Sequence, residues 1–490
     1  MRHGLACLLL YAASAAAQPT AEAVEQHYDN VLGTSLDLTV HTPDPARVET
    51  AAAAALAEIA RLDGILSTWH DDSVLMRLNR ERRGTDLPQE LIDVVTLCES
   101  WRERSGGVFS CRLGRVAQVW QDAQQKQQLP VALELLQLSR RIDQAAITVD
   151  TERRAITLGE DIELEPSGLA KGYIIDRAMT VLRAALPEAT AIKLDIGGDA
   201  FYWGAPPDED GWPVLVADAA LTADNGAFIA DVSLKNKGVA TSGHTSRTFS
   251  IGKITYSHIF DTRRGWPTAE RTYAVATAPD ATTADALATT LAAQSFDAGM
   301  KWAQQTLDES TQVLLVDSRG REWHSAGWID LLRGDLRRQL RADIELSMTY
   351  TIPRLKQSIY ERPYVAVWVS DAEGKPLRNL LLLGADERWA RENSRWWRRA
   401  RSQTRLETYN VTRPSRGPGE YQLIWNGQDE NGTSLLEGEY LLNVEATRRY
   451  GGHDYVSQPF TIKAGTQRYE NPGEGEVGPF SFTLEVAPAE

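Results

Sequence analysis

Cysteine is nearly absent, with three residues in a chain of 490. That excludes a disulfide-stapled scaffold and leaves at most a two-cysteine metal site. Histidine is also scarce, at 8, so any segment that gathers histidine with other polar groups stands out. Positive charge is in deficit: 52 Lys and Arg face 67 Asp and Glu, a formal net charge of −15. Such a field repels a phosphate backbone and argues against nucleic acid as a partner of the whole molecule. Beyond residue 17 no apolar run reaches the roughly 20 residues that a membrane-spanning helix needs. Internal repeats and long low-complexity tracts are lacking too.

What remains is ordinary globular material. Hydrophobic residues make up 42% and charged residues 24%, enough for a large core. A single core stops growing at about 250–300 residues, so a chain of this length predicts two or more domains. The start is different: Met1-Arg2-His3-Gly4 is short and basic, and Leu5 to Ala17 is apolar and ends in Ala-Ser-Ala-Ala-Ala. This is the pattern of a secretory signal peptide over residues 1–17, and it predicts an exported, periplasmic protein. Cys7 would leave with it. Cys98 and Cys111 would then sit where disulfides persist. Their spacing is compatible with a bridge and equally with two half-buried thiols, because it does not fix the Cα separation.

Periodicity predicts helices over residues 46–66, 87–104, 168–185 and 283–307. The second is stopped by Ser105-Gly106-Gly107. Strand signals cover 36–40, 191–196, 214–216, 272–276 and 312–316. The mixture predicts an α+β domain over 18–335. Past Arg341 helix signals fade, and strands follow at 344–352, 364–370, 377–383, 421–425, 440–446, 460–462 and 480–486. Asp371-Ala372-Glu373-Gly374 and Asp429-Glu430-Asn431-Gly432 supply turns. This predicts an all-β sandwich of immunoglobulin type over 342–490, with the boundary between 330 and 342.

Four segments of the first domain carry potential chemistry. Ser167-Gly168-Leu169-Ala170-Lys171-Gly172-Tyr173, ending at Asp176, puts two glycines and a lysine at a helix start, where backbone N–H groups favour anions. Asp195-Ile196-Gly197-Gly198-Asp199 ends a strand with paired glycines that permit close approach. Thr241-Ser242-Gly243-His244 and Ser257-His258-Ile259-Phe260-Asp261-Thr262-Arg263-Arg264-Gly265 concentrate His, Asp and Arg, and His258 could act as a base near neutral pH. In Ala284-Asp285-Ala286-Leu287-Ala288-Thr289, Asp285 and Thr289 share one helix face. Oxygen ligands of that kind suit Mg²⁺. Each segment alone also fits a plain turn, a surface histidine or a solvated helix face.

Taken in order, with Gly33-Thr34-Ser35, Leu66-Ser67-Thr68-Trp69 through Leu78-Asn79, and Ser105-Gly106-Gly107-Val108-Phe109, these segments resemble the ApbE family of FAD:protein FMN transferases from about Val31 to Gly327. The resemblance implies an enzyme that binds FAD and Mg²⁺, moves FMN onto a Thr or Ser hydroxyl of an exported or membrane-exposed acceptor protein, and releases AMP. It implies Mg²⁺ ligation by Asp285, Thr289 and the Gly168 carbonyl. It implies an FAD site lined by Leu32, Trp69, Val108, Phe109, Ser110, Glu165 and Lys171, with Leu32 where the family often has Met, and His258 as the base. A membrane-associated redox partner is a further expectation.

The chain departs from the family pattern in three places. Ser110-Cys111-Arg112 follows the Gly-Gly turn where an Asp is usual; Glu165-Pro166-Ser167 replaces an acidic-Leu-Gly approach; and Thr262-Arg263-Arg264-Gly265 replaces Pro-Arg-Thr-Gly. The Ser110 change keeps two other readings open, an FAD pyrophosphatase and a non-catalytic flavin- or partner-binding protein. The second domain resembles an uncharacterised periplasmic module fused behind ApbE-like domains. Its Trp425 to Tyr440 stretch also looks like the immunoglobulin-like repeat of flagellar hook-cap proteins. Its Arg388-Trp389 and Arg395-Trp396-Trp397-Arg398-Arg399 with Arg401 are expected to form an inter-domain contact or an acidic-partner surface, with Arg stacked on Trp.

Overall fold

The computed structural model describes residues 22–217, 228–244, 248–318, 321–334, 344–355, 361–384, 392–400, 412–413, 415–430, 434–449 and 451–486. The apolar N-terminal run with Cys7, the expected boundary at 335–342, Arg388, Trp389, Arg401 and the Asn431-Gly432 turn lie outside those residues.

Eight strands form one antiparallel sheet in sequence order: β1 (Glu22–Val31), β2 (Thr34–Thr42), β3 (Ala191–Ile196), β4 (Asp199–Gly204), β5 (Lys237–Ser242), β6 (Thr272–Ala278), β7 (Gln312–Asp317) and β8 (Glu322–His324). Alternation decides which face each residue serves. Ile192, Leu194, Ala274, Ala276, Val313 and Leu315 point into the helical side. Val239, Val275, Leu314 and Val316 point into a second cluster, where Trp212, Val232 and Trp328 from the far side cover the sheet. Both faces are therefore buried, and β6 and β7 read as near-continuous apolar runs for that reason.

The helical layer holds α1 (Val48–Leu66), α2 (Val74–Glu81), α3 (Gln89–Arg104), α4 (Gly114–Lys126), α5 (Ala132–Gln144), α6 (Ser167–Ala185), α7 (Ala281–Ala292) and α8 (Phe296–Thr306). The expected helix over 283–307 is in fact two. Ser295 caps α8 by accepting from the Ala298 N–H at 3.4 Å, and the apolar period continues across the break, which is why periodicity alone misses it.

Cys98 and Cys111 are bridged, with Cα atoms 5.7 Å apart. Beside the bridge, buried Arg112 binds the Glu99 carboxylate, with Nε 2.9 Å from Oε1, and donates to the Ala145 carbonyl at 2.7 Å. The departure from the family pattern at Cys111-Arg112 is thus a structural tie between α3 and the end of α5.

Past residue 343 the strands form two sheets around one core. In sequence order they are β9 (Ile344–Ile352), β10 (Tyr364–Asp371), β11 (Pro376–Leu383), β12 (Thr412–Arg413), β13 (Gly419–Trp425), β14 (Gly438–Thr447), β15 (His453–Ile462), β16 (Gly465–Asn471) and β17 (Phe480–Val486). One sheet runs β13-β9-β17-β16 and the other β12-β11-β10-β14-β15. The Arg/Trp stretch forms a short helix, α9 (Ser394–Ala400), and the expectation for it is corrected. Its Trp396 is buried against the outer face of the second sheet, beside Ala366, Trp368 and Leu382, donating from Nε1 to Asn379 Oδ1 at 2.9 Å. The N–H groups of Arg395 and Trp396 bind the buried Glu445 carboxylate at 3.0 and 2.7 Å. Arg395 stacks on Tyr455 at 4.3 Å, not on Trp.

Two stability predictions follow from buried groups. A single Cys98→Ser change opens a bridge that spans 13 positions and should cost about 3 kcal/mol in the chain-entropy picture. Denaturant titration should read that loss, and reductant should abolish the difference from wild type. The second concerns His27, which faces Asp37 across β1 and β2. Its Nδ1 lies 2.7 Å from Asp37 Oδ1, and its Nε2 lies 3.5 Å from Asp29 Oδ1. Burial alone would lower its pKa, but the two carboxylates raise it from 6.5 to about 10. A folded value above the unfolded one means the contribution is full below pH 6.5 and lost as pH rises through about 10. Unfolding free energy should therefore fall from pH 7 to 10 in the wild type and fall less in His27→Gln, which should also lose about 3 kcal/mol at pH 7.

Candidate functional site

Helix α6 begins directly after Pro166 with no side-chain cap, so its first-turn N–H groups face outward with the positive end of the helix dipole. Gly168 lies in that turn. A Cβ there would sit 3.0 Å from Thr289 Cγ2, 3.1 Å from Phe109 Cε2 and 3.4 Å from Thr289 Oγ1. The start of α6, the middle of α7 and the turn after α3 therefore meet at one point. One helical turn before Thr289, Asp285 is buried, and its Oδ2 accepts from the Gly172 N–H at 3.0 Å.

Lys171 closes the same corner. Its Nζ lies 2.5 Å from Asp199 Oδ2, and Asp199 Oδ1 accepts from the Thr241 N–H at 3.0 Å. Burial would lower the Lys171 pKa, yet Asp199, Asp285 and Asp195 hold it above the usual value, so the side chain is a cation at neutral pH. Helix α7 is positioned from α6. The Asp176 carboxylate accepts from the N–H groups of Ala281 and Thr282 at 2.8 and 2.9 Å and from Thr282 Oγ1 at 2.5 Å. Burial pushes the Asp176 pKa up to about 6 against those hydrogen bonds.

The turn after α3 uses Gly106 and Gly107 in the left-handed region, at φ 61° and 85°, where a Cβ would be strained. Ser105 Oγ accepts from the Phe109 N–H at 2.9 Å, and Phe109 is buried with its ring 6.2 Å from that of Trp101. Val108 and Ser110 on the same turn are half-buried. Glu165 lies just before α6, where its Oε2 accepts from Ser167 Oγ at 2.7 Å. Leu32 lies at the β1–β2 turn, half-buried and at φ 49°. Thr34, two residues on, packs against Gly197, where a Cβ would be 2.6 Å from Thr34 Cγ2.

His258 is half-buried on the loop joined to this region by Thr262, whose Oγ1 donates to the Gly107 carbonyl at 2.6 Å. Behind it lies His244, buried, with Nδ1 2.8 Å from Ser257 Oγ. Burial first, and then the neighbouring His258, push the His244 pKa down to about 4, so it is neutral at neutral pH. Trp69 is different: it is 75% exposed on the loop after α1, and the contacts described above do not join it to Lys171 or Phe109. The pairing of Lys171 with Asp199, the capping role of Asp176 and the support from His244 escape sequence reasoning, since each spans 28 positions or more, or depends on burial, and only the Asp-rich strand end at 195–199 hints at a cation.

The side chains that meet beside the Gly168 backbone carry oxygen: the Asp285 carboxylate and the Thr289 hydroxyl. Among the described residues no group of three or more His, Cys, Asp and Glu could hold a metal ion. One carboxylate, one hydroxyl and one carbonyl fit a hard cation that keeps waters and phosphate oxygens, as Mg²⁺ does. The missing side chain of Gly168 leaves space beside Thr289 Oγ1.

Comparison with known proteins bears on family and fold. The sequence profile of the ApbE family matches residues 32–315, and a family described as "Predicted periplasmic protein (DUF2271)" matches 345–479. A protein of Treponema pallidum (strain Nichols) named FAD:protein FMN transferase is 25% identical over 321 residues, covering 62% of this chain and 87% of that protein. One of the same name from Klebsiella pneumoniae (strain 342) is 26% identical over 347 residues, covering 67% of this chain and 96% of its own length. In fold, the ApbE protein of Thermotoga maritima superposes with a TM-score of 0.57 at 23% identity, over 64% of this chain and 100% of its own. The apo flavinyl transferase ApbE of Pseudomonas stutzeri gives 0.53 at 19% identity, over 64% of this chain and 98% of its own. With the family profile matched over more than half of its length, the chain belongs to the ApbE family.

Proposed function

We propose that this protein transfers FMN from FAD to a Thr or Ser hydroxyl of an acceptor protein and releases AMP. The observation that carries this is the convergence of a half-buried cation, Lys171, with Gly168, Asp285 and Thr289 at the start of α6. A pyrophosphate becomes a usable electrophile only when its charge is neutralised. Lys171 and the α6 N-terminus supply positive potential for the phosphates. Mg²⁺, held by the Gly168 carbonyl, Asp285 and Thr289, would add Lewis-acid neutralisation when bound. Phe109, Val108, Ser110, Glu165, Leu32 and Trp69 would line the FAD site.

His258 takes the proton of the acceptor hydroxyl. The acceptor oxygen then bonds to the FMN phosphorus, and the bond to the bridging oxygen breaks, with AMP leaving on that electron pair. Neutral His244 behind His258 keeps a second positive charge from building up beside the base. In the Ser110-Cys111-Arg112 departure, Cys111 and Arg112 are engaged with Cys98 and Glu99. A periplasmic location is supported by the apolar N-terminal run and by the description of the family matched at 345–479. Among the described residues no helix is long and apolar enough to cross a membrane.

The test incubates the full chain with FAD, Mg²⁺ and a Thr-bearing acceptor protein, and follows FMN mass on the acceptor and AMP release. Free FMN and AMP with no labelling would replace transfer by hydrolysis; bound and uncleaved FAD would leave a flavin-binding protein. His258→Ala should slow transfer by about 10²–10⁴-fold while FAD still binds. Asp285→Ala should remove the Mg²⁺ dependence of whatever rate remains, read by titrating Mg²⁺ against EDTA-treated protein.

A further inference from the structure

The sandwich touches the rest of the molecule at a telling place. The β1–β2 turn holds Asn30, Leu32 and Gly33 at φ 60°, 49° and 77°, and the pairing of the two strands slips between Tyr28 and Val31. Leu32 and Gly33 form the two-residue turn of the hairpin, a geometry that suits positive φ at both positions, and Asn30 tolerates the same region; contacts from outside the hairpin add to what holds it.

Those contacts come from the sandwich, on both sides of Leu32. Before it, Asp29 Oδ2 accepts from the Tyr364 hydroxyl at 3.0 Å, and Asp29 Oδ1 accepts from Ser415 Oγ. After it, the Gly33 carbonyl accepts from Arg362 Nη2 at 2.9 Å. The donors are themselves fixed. Arg362 Nη1 donates to the Ser415 carbonyl at 3.2 Å, and Tyr364 and Ser415 are buried. The Tyr364 ring occupies the space that a side chain on Gly384 would need. On its other flank the turn leads into Thr34, which packs on Gly197, and two residues later Asp199 pairs with Lys171.

We infer that the β-sandwich acts as a clamp on the β1–β2 turn, with Arg362, Tyr364 and Ser415 as positioning residues that hold Leu32 and the Gly197–Asp199 corner in a flavin-receptive arrangement. The inference rests on the reading of this pocket as an FAD site. It gives the C-terminal strands a role in substrate affinity rather than in the chemical step, because none of the three residues reaches the Lys171 corner directly. Preorganising a loop raises affinity by removing the ordering cost from binding.

The experiment uses the full chain and compares wild type, Arg362→Met/Tyr364→Phe, Arg362→Lys, and Val367→Ala as a control that loosens the sandwich core away from the turn. Amide hydrogen exchange over residues 29–35 reports the clamp, and titration of flavin fluorescence with each protein reports FAD affinity. The double variant should exchange about tenfold faster at the turn and bind FAD about five- to tenfold more weakly. Its KM for FAD should rise with kcat within about twofold. Arg362→Lys, which keeps a donor for the Gly33 carbonyl, should recover part of both losses, and Val367→Ala should lower thermal stability while leaving FAD affinity unchanged. Unaltered exchange and affinity in a folded double variant would overturn the clamp, as would an equal loss of affinity in Val367→Ala. A wild type that binds no FAD would overturn the flavin reading, with the exchange measurement still deciding the clamp.

Discussion

The site depends on how closely the backbone of α7 approaches its two neighbours. Ala281 is wedged between α6 and β5. A side chain on Gly172 would collide with the Ala281 carbonyl, and a Cβ on Gly238 would lie 2.5 Å from Ala281 Cα. Only glycine on both sides permits that spacing. Along most of its length α7 carries Ala, Leu and Thr buried on nearly every face, so it fits as a slim rod between helix and sheet. Asp176 then fixes its start by accepting from its first free N–H groups. With both the lateral position and the start of α7 set, Asp285 and Thr289 arrive beside Gly168 and Lys171.

The electrostatics at that corner set one cation among three carboxylates. A chain of formal charge −15 repels polyphosphates at a distance, yet Lys171 sits among Asp195, Asp199 and Asp285 and stays protonated because they surround it. The aspartates preserve the cation against burial, and at the same time they leave the corner short of net positive charge. A ligand phosphate there gains most when a metal balances the carboxylates. Local and global charge thus have the same sign, and a bound cation would decide whether a phosphate is tolerated there.

Away from the site, the departures from the family pattern have structural causes. The Cys98–Cys111 bridge and the Arg112–Glu99 pair lock the segment after the Gly106-Gly107 turn onto α3, a role that the commoner carboxylate at Ser110 would not supply. The Arg/Trp stretch of the sandwich is likewise internal: its helix start is bound by Glu445, and its aromatic ring is packed beneath. Among the described residues, hydrogen bonds from the sandwich reach Asp29 and Gly33 instead.

Local physics made much of this legible in the sequence. The period of apolar residues marks α1, α3 and α6 and the strands of both regions, because propensity and one-sided burial are written into neighbouring residues. The Gly106-Gly107 turn is visible because positive φ demands glycine, and Asp285 with Thr289 because i and i+4 share a helix face. The family resemblance added expected roles for Leu32, Trp69, Ser110 and Glu165, which no spacing could supply. Tertiary structure alone decided the rest. The break between α7 and α8, the pairing of Cys98 with Cys111, the Lys171–Asp199 contact, the neutrality of His244 and the grip of Arg362 and Tyr364 on the β1–β2 turn depend on distances between chain segments and on burial. Those quantities are set by packing of the whole fold, and residue order carries them only through that packing.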